Sequence, residues 1–237
     1  MKHFAVCLTA FLFLLISSFV ATSCSDAASQ VTGVTAVMVF DFADTTSEPA
    51  ERLSLFAETD DVQRVKSIRA VHEKSGIEWN VQAPRKIGGH DSKTWAGYTN
   101  LVPASGSTIP QGKYQLIYED AAEHESDVFF NVSYPLGFPE KRASDFPAAF
   151  MNGCVENIAL YSPEGSLIFY GRRKTNWKDD AAIANEYSAA QTMRICYTSV
   201  GGAVVCMMPP VKINDIQSAA AATAQSTPAE EGARFER

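Results

Sequence analysis

Cations are scarce and histidine is scarcer: 20 Lys and Arg and four His stand against 27 Asp and Glu, for a net charge of −7. That balance, with no long basic run, excludes nucleic acid as a partner, because clustered cations on phosphate supply most of the affinity for it. It equally excludes electrostatic docking on anionic lipid. His72, His90 and His124 are widely spaced and belong to no metal-ligand pair. There is no phosphate-cradling glycine loop, no paired zinc motif and no nucleophile elbow. No metal, cofactor or catalytic set is therefore expected, and no internal repeat is visible.

What is present begins with an apolar run. Met1-Lys2-His3 is a short positive start, Phe4 to Val20 is apolar apart from Thr9, Ser17 and Ser18, and Ala21-Thr22-Ser23 are small. Together they form a secretory signal peptide over 1–23, which is set aside from fold reasoning. The run is near the lower limit of a bilayer span, so an uncleaved anchor is the competing case. Residues 21–24 resemble the lipobox of bacterial lipoproteins, in a relaxed form similar to that of spirochaetal lipoproteins, with Ala21 where leucine is usual. The resemblance implies a lipid thioether on Cys24, cleavage just before it, and export to a bacterial cell membrane, inner or outer left open. An ordinary secretory cut at the same bond would leave Cys24 as a free thiol. Cysteine parity separates the two: Cys154, Cys196 and Cys206 remain after lipidation, whereas a free Cys24 makes an even set that can pair.

Apolar residues make up 46% of the chain and aromatics 11%, enough for a packed core. Residues 24–33 are small and polar and read as the lipidated tether. From Val34 the dominant period is two. Val34 to Phe42 is β-branched and aromatic, Leu53 and Leu55 alternate with Ser54 and Phe56, and Ile77, Trp79 and Val81 alternate with polar residues. The stretch Val62 to His72 carries a three-residue apolar spacing but leads into the turn Lys74-Ser75-Gly76, which favours a strand. Tyr114 to Tyr118 and Asp127 to Val132 complete about seven short strands. The entry Pro110-Gln111-Gly112-Lys113-Tyr114 is similar to the penultimate strand of immunoglobulin-like and fibronectin-type domains. That resemblance implies an immunoglobulin-like antiparallel β-sandwich over 34–135, with Tyr114 structural and Trp79 a core aromatic.

The texture changes at Pro135-Leu136-Gly137-Phe138-Pro139. Val155 to Tyr161 and Ser166 to Tyr170 flank the turn Ser162-Pro163-Glu164-Gly165. Ile183, Tyr187, Ala190 and Met193 then share one helical face over Ala181 to Met193, and a hairpin runs from Arg194 to Ile213. The fold class is therefore mainly β, with a small C-terminal α+β extension, ββαββ, over 136–214. Residues 215–237 have no periodic apolar face and read as a disordered tail.

Few residues offer chemistry. Cys196 and Cys206 flank Gly201-Gly202 and are a candidate disulfide; a three-residue loop would set them opposite one another, a two-residue loop would offset them by one. The competing reading is two buried thiols. Cys154 lacks any local histidine base. Arg172, Arg173 and Lys174 with Trp177, joined by Lys178, form the one basic cluster and are candidate contacts for an anionic polymer or a sugar. The acids Asp179 and Asp180 beside them point instead to a solvated turn capping a helix. The expected function is a membrane-anchored, non-enzymatic envelope module presenting loops or an edge strand to another envelope protein or polymer. The alternative is an envelope hydrolase acting on cell-wall or sugar substrates, which requires Glu119 and Asp120 to converge near Trp95 or Trp177.

Overall fold

The structure, a computed structural model, describes residues 28–88 and 93–213. The expected signal peptide, Cys24, the first part of the expected tether, His90 and the expected tail over 215–237 lie outside the described residues. No helix among those described is long and apolar enough to cross a membrane.

The structure is mainly β, with 50% of the described residues in strands and 10% in helices. The elements in order are β1 (Val31–Asp41), β2 (Ala50–Thr59), β3 (Val65–His72), β4 (Glu78–Val81), β5 (Arg85–Gly88), β6 (Thr94–Leu101), β7 (Gly112–Asp120) and β8 (Glu125–Val132). There follow α1 (Ala148–Asn152), β9 (Cys154–Tyr161), β10 (Leu167–Arg172), α2 (Asp180–Glu186), β11 (Thr192–Ser199), β12 (Val204–Met207) and β13 (Val211–Lys212). A nine-stranded sheet has the order β10-β9-β11-β12-β1-β2-β6-β5, with β13 paired to β11, and a four-stranded sheet has the order β4-β3-β7-β8. Neighbours are antiparallel except β1 and β12, which run parallel with Phe40 opposite Cys206.

The alternation read from sequence decides which side chains turn inward. Leu53, Leu55 and Ala57 of β2 and Tyr114, Leu116 and Tyr118 of β7 are buried at every second position, as the period-2 geometry of a strand requires. With Met38 and Phe40 of β1 and Ile68 and Ala70 of β3 they form one core between the two sheets. Gly112 opens β7 at φ +133, a conformation that side chains rarely adopt, and a Cβ there would lie 3.1 Å from Nε2 of His72. The glycine of the Pro-x-Gly-x-Tyr entry is thus a backbone requirement. Tyr114 Oη donates to the Pro110 carbonyl at 2.7 Å, and Trp79 stacks on the Tyr114 ring with its Nε1 donating to the Val102 carbonyl.

The long sheet continues past β1 into the C-terminal segment, which also contributes Phe138, Phe146, Val204 and Cys206 to the first core, so the division expected at 135/136 marks neither a sheet nor a core boundary. Ile158 and Leu160 of β9 and Met193 of β11 are buried on the same face as the first core and are covered by Ile183 and Ala184 of α2, with Trp177, Ala190 and Ile213. Phe138 and Phe146 cross back to pack edge-on against Phe40 and Phe42. Two sequence readings need correction here. The tether expected over 24–33 is docked from Ser29 onward: Ser29 is buried, the Gln30 N–H donates to Asp60 Oδ1 at 2.9 Å, and β1 begins at Val31. The helix expected over Ala181 to Met193 ends at Glu186, because Met193 pairs with Leu160 in the sheet. All four residues of its apolar face nevertheless pack into the second core.

Candidate functional site

The basic cluster is largely neutralised by its own surroundings. Arg173 bridges Glu156 at 3.3 Å and Asp180 at 2.9 Å, while Lys174 pairs with Glu186 and lies 4.9 Å from the centre of the Trp177 ring. Trp177 is 3% exposed, donates through Nε1 to Glu186, and packs edge-on against Phe169 and Tyr187. It is a core residue and not a sugar platform, which corrects the ligand-contact reading for Trp177. Asp179 caps α2 by accepting from the Ala182 N–H at 2.8 Å. Lys174 and then Trp177 hold the Glu186 carboxyl below its ordinary range. Arg172 and Lys178 are exposed and form no ion pair among the described residues.

The disulfide reading is also corrected. Cys196 lies opposite Met207 and Cys206 opposite Tyr197, an offset of one residue. Side chains one position apart point to opposite faces of a strand, so the two thiols cannot meet in this register. Both are free and buried. Burial pushes the Cys196 thiol up to about 11 and raises those of Cys206 and Cys154 as well. Raised thiols of this kind are poor nucleophiles.

The same alternation separates the carboxylates named for a hydrolase. Asp120 turns inward with a fully buried side chain, accepts the N–H groups of Ala122 and His124 at 2.8 and 3.0 Å, and pairs with Arg64 at 3.0 Å. Burial alone would raise its carboxyl; the N–H donors of His124, Ala122 and Ser29 outweigh that and lower it. Glu119 turns outward to Lys66 and Ser67. Trp95 is on β6 opposite Glu58, in the other sheet, and Trp177 is in the second core. Asp120 therefore braces the turn between β7 and β8, Glu119 ties β7 to β3, and the nominated residues do not lie together.

Two surface features were not legible in the sequence. The first is β10, the last strand of the long sheet, with no described strand on its outer side. Leu167, Ile168 and Tyr170 are 56, 38 and 50% exposed along it, and a bulge between Leu167 and Phe169 bends the strand without covering it. The opposite edge, β5, is only four residues long and carries Arg85 and Lys86, the usual protection of a sheet edge. The second is a cleft of about 380 Å³ at the strand ends near Asp41, Arg52 and Arg194. A separate cleft of about 430 Å³ is lined by Glu48, Glu51 and Glu140, but Glu51 is engaged with the Ile109 N–H at 2.8 Å. Burial raises its carboxyl, and the charge of Glu140 adds to the effect. No protein-family model, curated protein or solved structure matches this chain.

Proposed function

We propose that this chain is a bacterial envelope lipoprotein, exported by residues 1–23, held on a membrane through a lipid on Cys24, and acting as a non-enzymatic assembly module. Its body is an immunoglobulin-like β-sandwich extended at one edge. The strand orders β1-β2-β6-β5 and β4-β3-β7-β8 correspond to the A-B-E-D and C′-C-F-G sheets of that fold, and the bond from Tyr114 to Pro110 corresponds to its tyrosine corner.

The observation that carries the functional reading is β10. An unpaired edge with three exposed apolar side chains is a template for an added strand, and main-chain hydrogen bonds with alternate side-chain contacts are the chemistry of strand addition. Another envelope protein supplying an extended segment fits this edge better than a polymer does, because the basic cluster beside it is mostly occupied by Glu156, Asp180 and Glu186.

A photo-crosslinking residue in place of Tyr170, in the full-length membrane-bound chain, is expected to give a discrete adduct that Leu167→Lys abolishes. The same probe at Phe129 on β8 is expected to give none. An adduct that survives Leu167→Lys, or equal adducts from both positions, would refute the edge. The anchor is tested separately by intact mass: Cys24→Ser should remove a lipid-sized mass and release the protein from membranes.

A further inference from the structure

On the face of the long sheet that points away from both cores, the ends of β1, β2, β11 and β12 bring two guanidinium groups onto one carboxylate. Asp41 accepts from Arg52 Nη2 at 2.7 Å through Oδ2 and from Arg194 Nη2 at 2.6 Å through Oδ1. The register places these groups together. Asp41 lies opposite Met207 and Met207 opposite Cys196, while Arg52 lies opposite Val39, two residues before Asp41. Alternate positions on each strand therefore share the outer face.

The partners of the two arginines do not balance their charge. Arg194, with 13% of its side chain exposed, spends its other donations on neutral carbonyls: Met208 at 2.8 Å, Phe42 at 2.9 Å and Met207 at 3.0 Å. Arg52 has, besides Asp41, only the Met207 sulfur at 3.1 Å among the described residues. Asp41 is the single acidic residue lining the adjoining cleft, whose other polar walls are Tyr161, Ser162, Gln191 and Thr192. One carboxylate thus faces two cations at the floor of an open cleft, with Arg52 30% and Asp41 23% exposed, and one positive charge is left over. Among the described residues Arg52 bonds only through Nη2, so its other N–H donors are open to an added acceptor. The contrast with the basic cluster around α2 is direct, since Arg173 there has two carboxylates to itself.

We infer that this cleft binds a small oxyanion, a carboxylate or phosphate group carried by a soluble molecule, which supplies the missing negative charge. Guanidinium groups take such groups through paired N–H donors in a planar fork. The hydroxyls of Tyr161 and Thr192 and the amide of Gln191 are the neutral donors that line the remainder, while the Ser162 hydroxyl is engaged by Glu164. In a chain of net charge −7, a local excess of positive charge is also what would draw an anion to this place. The inference does not rest on the lipid anchor or on the exposed edge.

The test is titration of the full chain, in detergent at constant ionic strength set with chloride, with inorganic phosphate and separately with acetate, followed by the side-chain Nε–H resonances of its arginines. A saturable shift with either probe is expected, and the probe that saturates identifies phosphate or carboxylate as the ligand group. Arg52→Gln should weaken binding by at least about tenfold, the value of one charge-assisted hydrogen bond. Asp41→Asn should tighten it, because the competing carboxylate is gone, and Arg172→Gln should leave it unchanged. Shifts that never saturate with either probe, wild-type affinity in Arg52→Gln, or an Asp41→Asn variant that binds no more tightly would each overturn the site.

Discussion

One face of one sheet carries two cores, and they are closed by different means. The first gathers 21 buried residues among those described and is covered by a second sheet; the second gathers eight and is covered by α2 and the loops beside it. The cover of the first is held by hydroxyls on backbone carbonyls, such as Tyr134 Oη to Ile109 at 2.6 Å and Tyr114 Oη to Pro110, and by the pair of Arg64 with the buried Asp120. The cover of the second is held by charge: Arg173 to Asp180, Lys174 to Glu186, and Trp177 to the same Glu186. Stability scales with buried apolar area, so the two-sheet core is the larger store. The helix-covered core is the part expected to loosen first in acid, because the carboxylates that close it are the more exposed.

The largest expected effect is in the first core. Leu116→Ala removes a fully buried side chain and should cost about 2–5 kcal/mol, lowering the denaturant midpoint of the whole chain. Ile183→Ala, equally buried, should cost about 2 kcal/mol, because a short helix settles into the gap more readily than a sheet does. Its signature is faster hydrogen exchange confined to β9, β10 and β11. Equal and global losses from both variants would show that the two cores are one cooperative unit. Tyr114→Phe keeps the ring and drops one bond, and should cost about 1 kcal/mol in the same denaturant assay.

The pH dependence sharpens the comparison further. Glu186 in the second unit and Asp120 in the first both have carboxyls lowered on folding, from ordinary values of 4.5 and 3.8. A lowered acid contributes stability in full above its unfolded value and loses it as pH falls towards the folded one. Stability should therefore be level from neutral pH down to about 5 and fall below that. The Trp177 indole N–H resonance should disappear earlier in an acid series than those of Trp79 and Trp95. Simultaneous loss of all three would contradict a separable second core.

Much of the first core was visible in the order of residues. The alternation in β2 and β7, the turn at Lys74-Ser75-Gly76 and the Pro-x-Gly-x-Tyr entry each concern neighbours a few positions apart, and each is a local consequence of backbone geometry. The apolar set Ile183, Tyr187, Ala190 and Met193 also named its core correctly, but its helical spacing could not show that Met193 would be taken by the sheet. The candidate sites were read less well, because each depended on a phase or a distant pairing. Cys196 and Cys206 are separated by a single offset in the hairpin register. Glu119 and Asp120 are adjacent in sequence and on opposite faces in space. Nothing in the spacing of Asp41 and Arg194 announces a contact across 153 positions.

The sequence by itself determined that this is a mainly β chain, which alternate positions of β2 and β7 enter its first core, and which residue turns the corner into β7. It also supplied the lipobox-like residues 21–24 on which the proposal of an anchor at Cys24 rests. Period, turn chemistry and glycine conformation are local and act without knowledge of the fold. Only the tertiary structure decided that β12 lies parallel to β1, so that the extension continues the sheet, exposes β10 at its end and sets Arg52 and Arg194 around one Asp41. Those outcomes follow from burial of the apolar runs on a shared face. Burial rewards whichever distant strands complete a core, and sequence order does not record which those are.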